Sequence, residues 1–267
     1  MTGFGSLETF RTGLRNQARV LSAIALRDML TRYGRRNFGF AWLILEPLVF
    51  SFPVLAVWKA VRPATEHGIP MMDFMWSGYM PLLLFRHVTG NALHSIRGSA
   101  ALLYHRSITP TDIVFARQGL EALANLGSMA ISYLVYLVIG FLSLPYDFIT
   151  LLAGVLYNAW WALAVSFVLA ALSERSEYVA HLWSPISYLY IFYSGFMIMA
   201  EWLPDDLRRI ALAVDPPLHC YEMIRFGLFG DVVPTHYDIP YLTFILATMT
   251  LIGLLLLRRA REYIELE

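Results

Sequence analysis

Long apolar stretches alternate with polar segments along most of the chain. Six of these stretches are close to the length of about 20 residues that an α-helix needs to cross a bilayer. They are apolar on most faces, which is typical of a membrane span and not of a helix in water. The pattern predicts an all-α membrane protein with six transmembrane helices, over residues 38–61, 74–96, 120–144, 148–172, 178–200 and 239–257.

The polar N-terminal segment has the pattern of a helix that lies on a membrane surface. Arg11, Arg15 and Arg19 recur every four residues and therefore share one helix face, while apolar side chains fall on another. Basic amphipathic helices bind the headgroup region of a bilayer in this way. We expect an amphipathic interface helix over 11–36; the alternative is a soluble tail.

The segment 97–117 is too long to be a simple turn between two spans. Thr109 followed by Pro110 is a helix-start signal, because threonine caps a helix and proline suits its first turn. The segment is predicted to hold a short docking helix for a partner. The alternative is a plain connector.

A second long segment, 201–238, precedes the last span. It holds two candidate helices, 205–213 and 217–228, which are divided by Pro216 and Pro217. Its many apolar residues predict short re-entrant or interfacial helices, since exposed irregular backbone does not occur at membrane depth.

The composition excludes several classes of protein. Hydrophobic residues make up 58% and charged residues 15% of the 267 positions, against about 45–50% and about 25% in soluble domains. Twenty basic and twenty acidic residues cancel, so no net charge attracts a polyanion. These values exclude an ordinary soluble enzyme, a disordered chain and a nucleic-acid-binding protein. The single cysteine, Cys220, excludes an internal disulfide.

The distribution of basic residues predicts the topology. If both termini are cytoplasmic, the inner segments hold fourteen arginines and the outer segments hold five basic residues, as the positive-inside rule requires. We therefore expect a cytoplasmic tail and interface helix over 1–37, a six-span domain over 38–258 and a cytoplasmic tail over 259–267. In this topology 97–117 is cytoplasmic and 201–238 is periplasmic.

Motifs for catalysis are missing from the sequence. A nucleotide-binding P-loop needs a Gly-Lys-Ser/Thr run, but the only lysine, Lys59, follows Trp58 in the first span. The chain should therefore not hydrolyse ATP by that route. His87 and His94 are seven residues apart on one helix face; a structural role is favoured over metal binding, and we predict no metal site.

Two charged residues lie inside predicted spans. Glu46 and Arg86 fall at similar depths, about 12–15 Å from the cytoplasmic side at 1.5 Å per residue. Charges at such depth face a partner or water. We favour an ion pair between them; in the alternative, Arg86 faces an aqueous channel and meets an anionic substrate.

Aromatic residues in the middle of the spans are candidates for a sugar path, because their faces stack on sugar C–H groups and tyrosine hydroxyls form hydrogen bonds. Ordinary helix packing is the alternative for any single ring. The candidate substrate-path residues are Trp42, Glu46, Trp58, Tyr79, Phe85, Arg86, Tyr190 and Tyr193.

Four ordered motifs resemble one family. They are Arg32-Tyr33-Gly34-Arg35 with Gly39-Phe40-Ala41-Trp42 and Leu45-Glu46-Pro47; the loop from Leu102-Leu103-Tyr104 through Ile108-Thr109-Pro110 to Ala116-Arg117; Asp215-Pro216-Pro217-Leu218-His219 with Glu222 and Arg225; and the arginine-rich end. Together they resemble the permease subunits of capsular-polysaccharide ABC exporters, within the polysaccharide and O-antigen exporter group. The family usually has asparagine where this chain has Asp215.

The resemblance implies a homodimer in the bacterial inner membrane that works with two copies of a cytoplasmic ATPase. It implies a pore lined by the first, second and fifth spans, a lipid-linked acidic polysaccharide as substrate, and periplasmic and outer-membrane export partners. The ATPase, and not this chain, would bind ATP and Mg²⁺. No cofactor in this chain and no nucleic acid are expected.

The resemblance also assigns two groups of residues to the contact with the ATPase. The coupling residues would be Tyr104, His105, Arg106, Thr109, Pro110, Thr111 and Asp112, and the basic residues of the interface helix would be Arg11, Arg15, Arg19, Arg32 and Arg35. An exporter of O-antigen or teichoic acid remains the nearest alternative. A membrane-embedded enzyme or a passive channel is the alternative from another class.

Overall fold

The computed structural model describes residues 4–33, 38–61, 63, 65–103 and 108–264, and helices make up most of them. Its short elements are β1 (Thr65–Glu66), which pairs antiparallel with β2 (Ile69–Pro70), and 3-10 turns at Arg97–Ser99, Ala200–Trp202 and Gly230–Val232. The helices are α1 (Phe4–Tyr33), α2 (Phe38–Val61), α3 (Met71–Ala92), α4 (Ala100–Leu103), α5 (Pro110–Val138), α6 (Phe148–Arg175), α7 (Tyr178–Tyr193), α8 (Asp205–Val214), α9 (Pro216–Phe229) and α10 (Ile239–Ile264).

Three helices in the described part of the chain are long and apolar enough to cross a membrane. They lie in α5, α6 and α10, at Pro110–Val138, Phe148–Arg175 and Ile239–Ala260. A shorter apolar helix runs over Leu48–Val61 in α2. The three long helices correspond to the third, fourth and sixth predicted stretches.

Several predicted helices have different bounds in the structure. The third, predicted over 120–144, lies in α5 over Pro110–Val138. The second begins earlier, at Met71. The fifth ends at Tyr193 and not at residue 200, because Gly195 adopts a φ of +84°. This left-handed conformation suits glycine and commonly ends a helix.

The start of α5 corrects the interpretation of the Thr109-Pro110 motif. Thr109 and Asp112 form a reciprocal capping box in which Asp112 N donates to Thr109 Oγ1 over 3.2 Å and Thr109 N donates to Asp112 Oδ2 over 2.9 Å. The motif does start a helix, but that helix is the long α5 and not a short docking helix.

Helix α6 is the centre of the bundle and packs against α3, α9 and α10. Two glycines allow α6 and α9 to touch backbone to backbone. A Cβ on Gly227 would lie 2.4 Å from Leu151 N, and one on Gly154 would lie 2.8 Å from Ile224 N. Small residues permit this close approach between membrane helices.

We expect Gly227→Ala to destabilise the protein, because the added methyl group meets the backbone of α6, which cannot turn aside. Overpacking of this kind costs typically about 1–3 kcal/mol. Thermal unfolding in detergent measures the loss. The matched control is Gly119→Ala in α5, where nothing lies within 4 Å of the new Cβ; it should be neutral or slightly stabilising. Equal melting temperatures for the two variants would contradict the close contact.

Helix α1 lies against the start of α5. Ile24 is buried beside Ile113 and Ala116. The Gln17 side chain donates to Asp112, and Asp28 Oδ1 lies 3.1 Å from Arg117 Nε. The N-terminal helix is thus joined to the first turns of α5.

Candidate substrate cavity and its connections

The described residues line a half-open cavity of about 590 Å³ between α2, α3 and α7. Its wall from α3 has a helical spacing of three to four residues, so one face of this helix is turned toward the cavity. Serine hydroxyls and aromatic rings come from α7. The lining residues are Phe50, Tyr79, Leu83, Arg86, His87, Gly90, Leu93, Trp183, Ser184, Ser187 and Tyr188.

Arg86 supplies the positive charge of this cavity. Its guanidinium carbon lies 4.3 Å from the centre of the Tyr188 ring, within the range of a cation–π contact. No ion pair joins Arg86 to Glu46 among the residues that the structure describes. The favoured ion pair is therefore not found, and Arg86 instead faces the cavity.

His87 has a structural partner at the edge of the same cavity. Its Nδ1 is 2.9 Å from Asn125 Oδ1, and Asn125 Nδ2 donates to the Glu121 carbonyl over 2.9 Å. This arrangement fastens α3 to α5 and agrees with the structural role favoured from the sequence. His94 is exposed, and the described residues contain no cluster of three or more metal-binding side chains.

Two of the predicted path residues form part of the core. Phe85 and Tyr190 stack with their ring centres 4.0 Å apart, and both are buried. This stack holds α7 against α3 behind the cavity wall. Of the eight candidate path residues, Tyr79 and Arg86 line the cavity; Trp42 is exposed, Glu46 and Trp58 are half-buried, and Tyr193 lies elsewhere.

Tyr193 lines a second cavity of about 480 Å³ between the end of α7 and α8. Its walls are almost wholly apolar, and Asp215 contributes a carboxyl group. Burial raises the pKa of this carboxyl to about 7. Leu207, Ile210 and Val214 expose the apolar face of α8 beside this cavity.

A buried polar network fixes the chain on both sides of α8. Arg225 is completely buried in α9 and donates to the carbonyls of Phe196 over 2.9 Å and Ile198 over 2.8 Å. Glu222 accepts from the backbone N–H groups of Ala200 over 3.1 Å and His236 over 2.9 Å. Sequence reasoning gave these two charged side chains no role, although both lie in a quoted motif.

A second polar cluster joins the same segments nearer the surface. His236 Nε2 is 2.7 Å from Glu201 Oε2, and Arg208 pairs with both Glu201 and Asp205. The hydrogen bond with His236 and the charge of Arg208 lower the pKa of Glu201. Residues 196–238 are therefore held together by side chains from α9 and α8.

Comparison with known proteins decides the family. The model of the ABC-2 type transporter family matches residues 19–229. The capsule polysaccharide export inner-membrane protein BexB of Haemophilus influenzae is 31% identical over 262 residues, which cover 98% of each chain. CtrC of Neisseria meningitidis, with the same description, is 30% identical over 96% of this chain and 97% of the relative. The polysialic acid transport protein KpsM of Escherichia coli is 23% identical over 94% and 97%.

The chain belongs to the ABC-2 type transporter family. The resemblance drawn from the four motifs is thereby confirmed. As an ABC-2 type transporter chain it is a membrane transport subunit, which agrees with the missing P-loop.

In this ABC-2 type chain, the predicted coupling residues Thr109, Pro110, Thr111 and Asp112 all lie at the start of α5. Tyr104, His105, Arg106 and Arg35, as well as the side chain of Arg32, lie outside the described residues. The side chains of Arg11, Arg15 and Arg19 are exposed along α1. The basic stripe of α1 and the start of α5 therefore belong to one corner of the bundle.

Proposed function

We propose that this chain is the membrane-spanning subunit of an ATP-driven exporter that moves a lipid-linked acidic capsular polysaccharide across the bacterial inner membrane. The observation that carries the proposal is the similarity along nearly the whole chain to proteins named for capsule polysaccharide export. An O-antigen export permease of Myxococcus xanthus is 23% identical over only 74% of this chain, so O-antigen is the second candidate cargo.

The proposed topology places six helices across the membrane, namely α2, α3, α5, α6, α7 and α10, with both termini in the cytoplasm. The excess of arginine in the inner segments supports this orientation. Helix α1 then lies on the cytoplasmic surface with its exposed arginines toward lipid headgroups or the ATPase. Helices α8 and α9 lie on the periplasmic side, where they would shape the exit and meet periplasmic and outer-membrane partners.

In this proposal, the cavity between α2, α3 and α7 of each protomer forms one half of the polymer path. Its arginine suits an acidic sugar or a phosphate group, and its aromatic rings and serine hydroxyls suit the two faces of a sugar ring. Phe50 on α2 and Tyr188 on α7 are exposed at its edge. A second copy of the chain against α2 and α7 would complete the pore of a homodimer.

In the proposed mechanism, two copies of a separate ATPase bind ATP and Mg²⁺ and close on each other. The segment 97–117 receives this motion and displaces the helices that flank the cavity. The polymer then advances past Tyr79, Arg86 and Tyr188. This chain supplies the path and the coupling, and no cofactor of its own is needed.

The test of the proposal is co-purification. The chain is expressed with its genomic neighbours, isolated in detergent and assayed for bound ATPase, ATP hydrolysis and, in cells, surface polysaccharide. We expect a stoichiometric ATPase partner and loss of capsule when the chain is deleted. If the chain purifies without an ATPase and its deletion leaves polysaccharide export unchanged, a passive channel or a membrane-embedded enzyme would be favoured.

We expect Arg86→Gln to lower the rate of polysaccharide export about tenfold, which corresponds to about 1.4 kcal/mol of lost contact with the anionic polymer. Arg86→Lys should lose less, because it keeps the charge but not the planar contact with Tyr188. Arg258→Gln, an exposed site at the end of α10, is the control and should export normally. Normal export by Arg86→Gln would remove this arginine from the proposed path.

A further inference from the structure

Arg97 joins two parts of the chain that are far apart in sequence. It lies in the turn after α3, and its Nη1 donates to Glu177 Oε1 over 2.8 Å. Its Nε lies 3.8 Å from Glu174 Oε2. Glu174 belongs to the last turn of α6, and Glu177 directly precedes α7. Arg97 therefore bridges from the α3–α5 connection to the turn between α6 and α7.

Arg117 holds the other side of the same turn. Its Nη1 donates to the Ser95 carbonyl over 2.7 Å and contacts Ser99 Oγ at 3.2 Å, while its Nε pairs with Asp28 of α1. The turn at 95–99 is thus attached to α1 and α5 by one arginine and to the start of α7 by the other. Arg97 is therefore a direct side-chain link from this turn to the start of α7.

The contact between Arg97 and Glu177 contributes little to folding. The Arg97 side chain is 48% exposed and that of Glu177 is 77% exposed, and ion pairs at such positions add little to stability in water. Its location matters more, because α7 begins one residue after Glu177 and carries Trp183, Ser184 and Tyr188 of the cavity wall.

We propose that Arg97 is a positioning residue. Through its contacts with Glu177 and Glu174, it makes the first turn of α7 move together with the connection between α3 and α5. The functional consequence of this inference, that movement of segment 97–117 changes the shape of the cavity, rests on the proposed function. Its structural part concerns this chain alone and is tested separately.

The structural test uses spin labels on His181→Cys in α7 and Arg259→Cys in α10, both exposed positions, in the full chain in nanodiscs. Cys220 is completely buried and is left in place. We expect Arg97→Glu to broaden or shift the distance distribution, and Arg97→Glu with Glu177→Arg to restore it. An unchanged distribution in Arg97→Glu overturns the inference, whatever the cargo is.

The functional test uses the complex with its ATPase. We expect each single charge reversal, Arg97→Glu or Glu177→Arg, to lower the polysaccharide exported per ATP hydrolysed about fivefold while ATP hydrolysis continues. The double reversal should recover export to within about twofold of the wild type. Arg258→Glu is the matched control for charge and should export normally.

The outcomes separate the two proposals. The role of Arg97 is overturned if both single variants export as much polysaccharide per ATP as the wild type. It is also overturned if the double variant exports no more per ATP than the poorer single variant. A wild-type chain that neither binds an ATPase nor exports polysaccharide overturns the proposed function, and the spin-label distances then decide the role of Arg97 alone.

Discussion

Replacing Arg225 with methionine should lower the free energy of unfolding by about 3–5 kcal/mol, the cost typical of breaking a buried charge network by removing one partner. The guanidinium donates to the carbonyls of Phe196 and Ile198 and lies 4.2 Å from the centre of the Phe74 ring. Methionine fills the space but donates no hydrogen bond, and the buried Glu222 loses a nearby positive charge. Unfolding in detergent, followed by tryptophan fluorescence, measures the loss.

The same variant should abolish export, because the segment that follows α7 loses its attachment to α9. Arg209→Met, at an exposed position on α8, is the control and should keep both stability and export. Arg225→Lys should fall between the two, since lysine keeps the charge but cannot donate along two directions to both carbonyls. A stability of Arg225→Met equal to that of Arg209→Met would show that the network does not hold the segment.

Replacing Asp112 with arginine should reduce export to below about a tenth of the wild-type rate while the chain still folds and inserts. Asp112 completes the capping box of Thr109 at the start of α5 and accepts from Gln17 of α1. Loss of a helix cap costs typically about 1 kcal/mol, which a bundle of this size tolerates. The reversed charge, however, separates α1 from the start of α5, where the ATPase is proposed to act. Export in cells and ATP hydrolysis by the purified complex measure the two effects.

Asp112→Asn separates the cap from the charge. The asparagine oxygen can still accept from Thr109, and its amide nitrogen can donate to the oxygen of a flipped Gln17 side chain. This variant should export at nearly the normal rate. If Asp112→Arg also exports normally, the start of α5 has no part in coupling and the assignment of segment 97–117 fails.

Hydropathy located the helices because long apolar runs mark them directly. The bounds of α2 and the starts of α6, α7 and α10 agree with the sequence pattern. The end of α7 does not, because it depends on a single glycine that adopts a left-handed conformation. The role of Thr109 and Pro110 as a helix start was predictable, but the sequence did not show that this helix continues into the third apolar stretch.

The position of a charge along a span was predictable, but its direction around the helix axis was not. Glu46 and Arg86 were paired from their similar depth, yet the rotation of α3 turns Arg86 toward Tyr188 of α7. The spacing of Tyr79, Leu83 and Arg86 on one helix face could have indicated this wall. By contrast, Arg225 and Glu222 bind backbone atoms, which no pattern of side chains reveals.

The glycine at the end of α7 limits how this helix can move. A Cβ on Gly195 would lie 2.8 Å from Leu218 Cδ1, and Arg225 binds the carbonyl of the next residue, so this end is fixed to α9. With one end fixed, a movement of α7 would take the form of a tilt about Gly195. A helix of 16 residues is about 24 Å long, so a tilt of about 10° displaces its first turn by about 4 Å and its last turn hardly at all. The width of the cavity would therefore change most at the Tyr178 end of α7. The distance between the Tyr193 end of α7 and α9 would stay constant.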